Sequence, residues 1–316
     1  MLNKRDFTDV IKRDLVNFLP ANMAESVVVG DMEVVKINDQ KLHGITIREN
    51  GENAAMTFYI DDAFDKYKSG EDITVIMADL AASYEHNLDM PKPPAIDLKW
   101  DELKDDLSVR VVDKQRNREF LRDRPYVDTG NGLAVICDIN MGGYNGEWRI
   151  GVNKDVLATL GVEPDTLFSV AMDRSVINEP PILTDMSQAL FDRDAGNLLD
   201  GNNMIAPEDL SGMYVLTNSS ASFGAATLFY PDVREKAAEI LGTGYYVLPS
   251  SQHEVIIVPD TAGISEKDLS DMVKQANRTV VEPHDILSDN VYHYDRDSRE
   301  LSRVMPERDK SDREAR

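Results

Sequence analysis

Apolar residues recur at helical spacing near the start of the chain. Phe7, Val10, Ile11, Leu15, Phe18 and Leu19 fall on one side of a helix that Pro20 must stop. The period then changes. Residues 27–37, 44–48 and 55–60 are rich in β-branched side chains and are separated by the turn formers Asn38-Asp39 and Asn50-Gly51, which predicts a three-stranded meander. Helical spacing returns from about Glu71 to Tyr84 through Ile73, Ile76, Met77, Leu80 and Ala81, and this stripe is expected to cover one face of the meander. Met90-Pro91-Lys92-Pro93-Pro94 can be neither helix interior nor central strand, because proline lacks the amide hydrogen and fixes φ. The pattern therefore predicts a first domain over residues 1–89 and a proline-rich linker over 90–99.

A larger domain is expected over residues 100–297. Residues 107–112 and 133–139 read as strands, the second leading through a glycine-rich tip at 140–146 into 148–152 as a hairpin. Two short helices follow, one stopped at Leu160-Gly161 and one running from Pro164 through Leu167, Phe168, Ala171 and Met172. Residues 188–212 are polar and form the longest irregular connection. Further strands are expected at 213–217, 225–229, 245–248, 255–258 and 291–294, with helices over 231–241 and from Ser265 to about Asn277. Short antiparallel strands alternating with helices predict an α+β fold of mainly antiparallel sheets and packed amphipathic helices in two subdomains. Residues 298–316 are expected to form a charged, disordered tail.

Composition narrows the function classes. The 316 residues suit two domains of roughly 150 residues, and 42% hydrophobic content can build a packed core in each without disulfides or metals. The single cysteine, Cys137, lies in the apolar run Leu133-Ala134-Val135-Ile136-Cys137, which excludes a disulfide framework and makes it a core residue with a raised thiol pKa. The 57 acidic residues outnumber the 34 basic ones, giving a net charge of −23. Such a field repels phosphate backbones, so ordinary nucleic-acid binding is not expected; the dispersed acidic residues favour a role in solubility over a DNA mimic or a docking surface for a basic protein partner. The N-terminus places Lys4, Arg5 and Asp6 where a secretory signal needs apolar residues, and no apolar run approaches the roughly 20 residues of a membrane span. The expectation is a cytoplasmic protein without a membrane partner, of open oligomeric state.

Neither Gly142-Gly143-Tyr144-Asn145-Gly146 nor Gly130-Asn131-Gly132 matches a P-loop, and the dinucleotide fingerprint is missing, so no cofactor is expected. Ser250, Ser251, His253 and Glu254 supply the hydroxyl, imidazole and carboxylate of a hydrolytic triad. In an extended strand, however, His253 and Glu254 point to opposite faces, and Ser251 and His253 are separated by roughly 6.6 Å of rise. The same residues suit a hairpin connection, which that geometry favours. Glu282-Pro283-His284-Asp285 sets carboxylates beside an imidazole but lacks the helical spacing of a zinc motif, and no metal site is expected. His43 and His86 stand alone and read as surface or packing residues. Residues 218–225, small and expected between two strands, could present backbone groups to a ligand. Asn218, Ser219 and Gly224, with His284 and Asp285, are the candidate binding residues. Two functions follow: a non-enzymatic binding or regulatory protein with an acidic surface, or a hydrolase of unfamiliar type using the Ser250 to Glu254 turn.

The runs Met213-Tyr214-Val215-Leu216-Thr217-Asn218, Phe223-Gly224-Ala225-Ala226, Tyr246-Val247-Leu248-Pro249-Ser250-Ser251-Gln252-His253-Glu254-Val255 and Leu287-Ser288-Asp289-Asn290-Val291-Tyr292 resemble an uncharacterised family of gram-positive bacteria, domain of unknown function 5688. Val35-Lys36-Ile37-Asn38-Asp39-Gln40-Lys41-Leu42-His43-Gly44 fits the same family, so the resemblance covers most of residues 5–297. A fainter likeness runs to domain of unknown function 1444. Neither carries an assigned activity; the resemblance implies domain limits and a cytoplasmic bacterial setting.

Overall fold

A computed structural model describes residues 1–51, 55–88, 97–142, 149–191, 196–201 and 212–305. The chain divides into two compact units, Met1–Pro94 and Ala95–Arg316. The expected proline-rich linker, the glycine-rich tip, most of the 188–212 connection and the last eleven residues lie wholly or largely outside the described residues.

In the first unit, helix α1 (Lys4–Asp14) is capped by Asn3, whose side chain accepts a hydrogen bond from the Asp6 amide. Asp6 in its first turn and Lys12 and Arg13 in its last complement the helix dipole. Strands β1 (Val27–Lys36), β2 (Gln40–Glu49) and β3 (Met56–Tyr59) form an antiparallel meander in that order. Helix α2 (Asp61–Lys68) escapes the periodicity because it offers only Ala63, Phe64 and Tyr67 to the interior, all partly buried. With α3 (Ile73–Leu88) it closes a core in which Phe7, Ile11 and Leu15 meet Ile45, Ile47, Ile60, Ile76 and Met77.

The second unit contains two antiparallel sheets. Strand β4 (Leu107–Asp113) pairs along its whole length with one edge of β6 (Leu133–Asn140), while β5 (Val127–Asp128) and β7 (Arg149–Gly151) share the other edge. Helix α4 (Lys154–Leu160) stops at Gly161, whose φ of 68° is the left-handed conformation that glycine adopts without strain. Helix α5 (Pro164–Asn178) lies along the free edge of β4. There Ser175, fully buried, accepts a hydrogen bond from the Val109 amide at 2.9 Å and passes one to the Ala171 carbonyl at 2.8 Å. The edge of β4 is thus closed by a side chain instead of another strand.

The larger sheet is built from β8 (Pro181–Asp185), β9 (Tyr214–Asn218), β10 (Tyr245–Leu248), β11 (Val255–Pro259), β12 (Tyr292–Asp295) and β13 (Glu300–Arg303), in the order β13-β12-β10-β11-β9-β8. One of its faces shares a core with the smaller sheet, through residues such as Val109, Val135, Leu216, Val247 and Ile257. Cys137 sits in that core, and burial, reinforced by the charge of Asp138, pushes its thiol pKa well up. On the other face Leu269 and Val273 of a helix (Glu266–Thr279) pack on Leu248, Val258 and Val291. Antiparallel sheets of three, four and six strands with packed helices make the fold α+β, as the alternation of elements predicts. No helix among the described residues is long and apolar enough to cross a membrane.

Several local expectations are corrected. The strand expected at 225–229 is a 3-10 helix, Gly224–Phe229, closed by bonds such as Thr227 Oγ1 to the Gly224 carbonyl and the Tyr230 amide to the Thr227 carbonyl. The tail expected from residue 298 begins instead with β13. Asp295 Oδ1 accepts from the Asp297 and Ser298 amides and turns the chain back into β13, whose one apolar side chain is Leu301. Helix Met186–Phe191 enters the connection expected to be irregular. Strand β8 is hidden behind Pro180-Pro181, and its place at the end of the sheet is where a strand tolerates proline.

The Ser175 hydroxyl accepts the hydrogen bond of a buried strand amide. Ser175→Ala is expected to leave the Val109 amide buried and unsatisfied and to cost about 1–3 kcal/mol of unfolding free energy in urea titration; a change below about 0.5 kcal/mol would show that water replaces the bond.

Candidate functional site

The candidate residues converge in the second unit, where the loop after β9 meets the turn between β10 and β11. Asn218 ends β9 and folds the loop on itself: its Oδ1 accepts from the Ser222 amide at 3.2 Å and the Ser220 hydroxyl at 3.1 Å, and its Nδ2 donates to the Ser222 carbonyl at 2.9 Å. Ala221 and Phe223 are held at φ of 52° and 55°, left-handed positions that non-glycine residues adopt only under constraint. Gly224 then makes a close approach. A Cβ there would lie 2.6 Å from the Asn218 amide nitrogen and 2.7 Å from the His253 carbonyl oxygen, so no side chain fits. Two bonds dock this loop on the turn: Thr217 Oγ1 donates to the His253 carbonyl at 2.8 Å, and the Ala225 amide to the Gln252 carbonyl at 3.2 Å.

The turn itself is tight, not extended. The Ser251 amide donates to the Glu254 carbonyl at 3.3 Å, and Ser251 Oγ, in a residue only 8% exposed, accepts from the His253 amide at 3.0 Å. The His253 ring is engaged at both nitrogens. Nδ1 accepts from the Phe223 amide at 3.2 Å, which places the ring proton of the neutral imidazole on Nε2, 3.1 Å from Asp285 Oδ1. Gln252 completes the clamp, its amide donating to the Asp285 carbonyl at 2.8 Å and its Nε2 to Asp285 Oδ1 and the His284 carbonyl, each at 3.0 Å. His284 is mostly exposed, with Nε2 at 3.6 Å from Asp285 Oδ2.

Above His253 lies the Phe223 ring, stacked at a centroid distance of 5.2 Å. The guanidinium carbons of Arg110 on β4 and Arg149 on β7 lie 4.4 Å and 5.0 Å from the centre of the same ring. Arg110 Nε sits 2.5 Å from Oδ2 of the fully buried Asp138, an ion pair whose angle falls short of a hydrogen bond. Arg149 donates to Ser108 Oγ at 2.9 Å and to Glu179 Oε1 at 3.0 Å, and Asn218 Nδ2 reaches Glu179 Oε2 at 3.4 Å. Burial, helped by Glu179, pushes the neighbouring Tyr230 phenol up, against the opposing influence of Ser175 and Arg149.

The structure thus brings Asn218, Gly224, Ser251, His253 and Asp285 into one hydrogen-bonded node. Ser250 contributes its amide, which donates to the Leu248 carbonyl at 2.9 Å, and Glu254 only its carbonyl. Ser219 is exposed, its amide tied to the Pro180 carbonyl at 3.0 Å. No serine hydroxyl is bonded to an imidazole among the described residues. No three His, Cys, Asp or Glu side chains among the described residues converge as a metal-ligand set. Sequence reasoning missed Arg110, Arg149, Phe223 and Gln252. A signal existed for Arg110, the one charge in the mainly apolar run Leu107-Ser108-Val109-Arg110-Val111-Val112; nothing local distinguishes Phe223.

The close approach at Gly224 gives a direct test. Gly224→Ala is expected to force the loop off the turn and lower stability by more than about 2 kcal/mol, the range of strained backbone and overpacked substitutions. A melting temperature unchanged from the parent would show that the loop can shift freely.

A family model described as a family of unknown function, DUF5688, matches residues 4–296. Comparison with curated proteins and with solved structures finds no match to either. With nearly its whole length matched, the chain belongs to this family of unknown function.

Proposed function

We propose that this chain is a non-enzymatic binding protein of the bacterial cytoplasm, whose acidic surface engages a basic protein partner. The observation that carries the non-enzymatic reading is the state of His253. A general base needs a ring nitrogen free to take the nucleophile's proton. Here Nδ1 is spent on the Phe223 amide and Nε2 on Asp285, while the Ser251 hydroxyl is occupied by a backbone amide and buried. The imidazole and carboxylate are the parts a hydrolase would use, but they are arranged as a clamp between loops. The net charge of −23 supports the choice of partner, because such a field speeds encounter with basic surfaces and opposes acidic ones.

Capture of host proteins on the immobilised chain tests the reading. The expected result is a basic protein retained at about 50 mM salt and released by about 500 mM, where the screening length falls to a few ångströms. Treatment with a fluorophosphonate is expected to leave Ser250 and Ser251 unlabelled. Stoichiometric labelling that is lost in a folded His253→Ala variant would replace this reading with the hydrolase.

A further inference from the structure

Although the chain carries a large excess of acid, basic residues gather in one region of the second unit. Arg110, Lys114, Arg116, Arg118, Arg122 and Arg124 fall within a single short stretch, against Asp113, Glu119 and Asp123. Four of the six are engaged locally. Arg110 pairs with Asp138, Lys114 with Asp128 and Arg116 with Asp289, and Arg124 lies over the Phe120 ring at 4.2 Å. Arg118 and Arg122 are exposed and have no ion-pair partner among the described residues. Both line a hollow of about 480 Å³, together with Arg303 from β13, which is likewise exposed and unpaired among the described residues.

The rest of the wall adds Lys114, which is paired with Asp128, and a single carboxylate. Asp113, the one carboxylate lining the hollow, is buried and committed inward. Its Oδ1 accepts from the Gln115 and Arg116 amides at 2.7 and 3.1 Å, and its Oδ2 accepts from Ser288 Oγ at 2.8 Å. Tyr126 adds a half-exposed aromatic face. Gly132 and Arg303 also line a second hollow of about 690 Å³, which brings in one further arginine, Arg234, one carboxylate, Glu300, and the turn at Gly130 and Asn131. Gly130 and Gly132 hold φ of 79° and 99°, with no other atoms near the side they leave bare, so the turn puts no side chain of its own between the two hollows at these positions.

Three arginines thus line one hollow with no ion-pair partner among the described residues, and their like charges repel one another unless an anion joins them. Planar guanidinium forks match phosphate and carboxylate oxygens two at a time, and the volume lies in the range of small-molecule sites. We propose that the hollow between the 114–119 turn, the 129–132 turn and β13 is a binding site for a small multivalent oxyanion, a molecule carrying two or more phosphate or carboxylate groups. This site is opposite in sign to the surface invoked for a basic partner and stands independently of it.

Calorimetric titration of the full chain with pyrophosphate, citrate and inorganic phosphate tests the site. Pyrophosphate or citrate should bind, and whichever binds tighter identifies the group, while the single phosphate binds at least tenfold more weakly. Arg118→Ala and Arg122→Ala should each weaken binding roughly tenfold, the loss of one charge-assisted hydrogen bond, and the double variant together with Arg303→Gln should abolish it. Lys267→Ala removes the same charge from an exposed position outside the hollow and should leave binding unchanged. Because the side chains of Arg118 and Arg122 have no ion-pair partner among the described residues, their variants remain informative even if Arg303→Gln disturbs the hairpin. No binding of pyrophosphate or citrate at about 10 mM, or equal weakening by Lys267→Ala, or full binding by the Arg118→Ala/Arg122→Ala variant, would overturn the proposal.

Discussion

The Phe223 amide has no strand to join. Its residue is held at φ 55°, where the chain swings from the end of β9 into a 3-10 helix, and a partly buried amide in that position must find a side-chain acceptor or lose its hydrogen bond. His253 Nδ1 is that acceptor. Much follows from this one bond. It sets the tautomer, turns Nε2 toward Asp285, and through Asp285 and Gln252 ties the segment before Leu287 to the β10–β11 turn. It also holds the Phe223 ring where Arg110 and Arg149 can lie against it. A residue type that first suggests catalysis is here consumed in backbone satisfaction.

The two arginines show where part of the chain's acidity is used. Arg110 and Arg149 are 13% and 11% exposed, and each draws on a carboxylate buried at least as deeply, Asp138 at 1% and Glu179 at 9%. Removing a charge from water costs several kcal/mol unless a partner and hydrogen bonds offset it, so these pairs specify the arrangement of β4, β7 and the Asn218 loop more than they add net stability. The unpaired arginines around the 114–119 turn differ physically. They are exposed to solvent, so they carry no comparable desolvation cost.

The architecture was legible wherever one face of an element is buried and the other wet. Helix α1, the β1–β3 meander, the Gly161 stop and the Ser265 cap all follow from spacing and turn chemistry. What stayed hidden has specific causes. Strand β13 carries a single apolar side chain, β8 begins at a proline tolerated only at a sheet edge, and Ala225 and Ala226 are buried because Gly224 brings the backbone close, not because they alternate. At the site, the cluster Ser250 to Glu254 was visible as residue types, but its meaning depended on partners far away in sequence. Phe223 lies 30 residues and Asp285 32 residues from His253, and only the folded chain shows that they occupy both ring nitrogens.

The node therefore turns on one proton, the one on the His253 ring. Long-range nitrogen–proton correlation spectra of the histidine rings in the intact protein report directly which nitrogen carries it. Neutral His253 is expected in the Nε2–H form, with Nδ1 shifted as a hydrogen-bond acceptor. An Nδ1–H ring with Nε2 free, or a ring exchanging between the two forms, would contradict it and return His253 to the role of an available base.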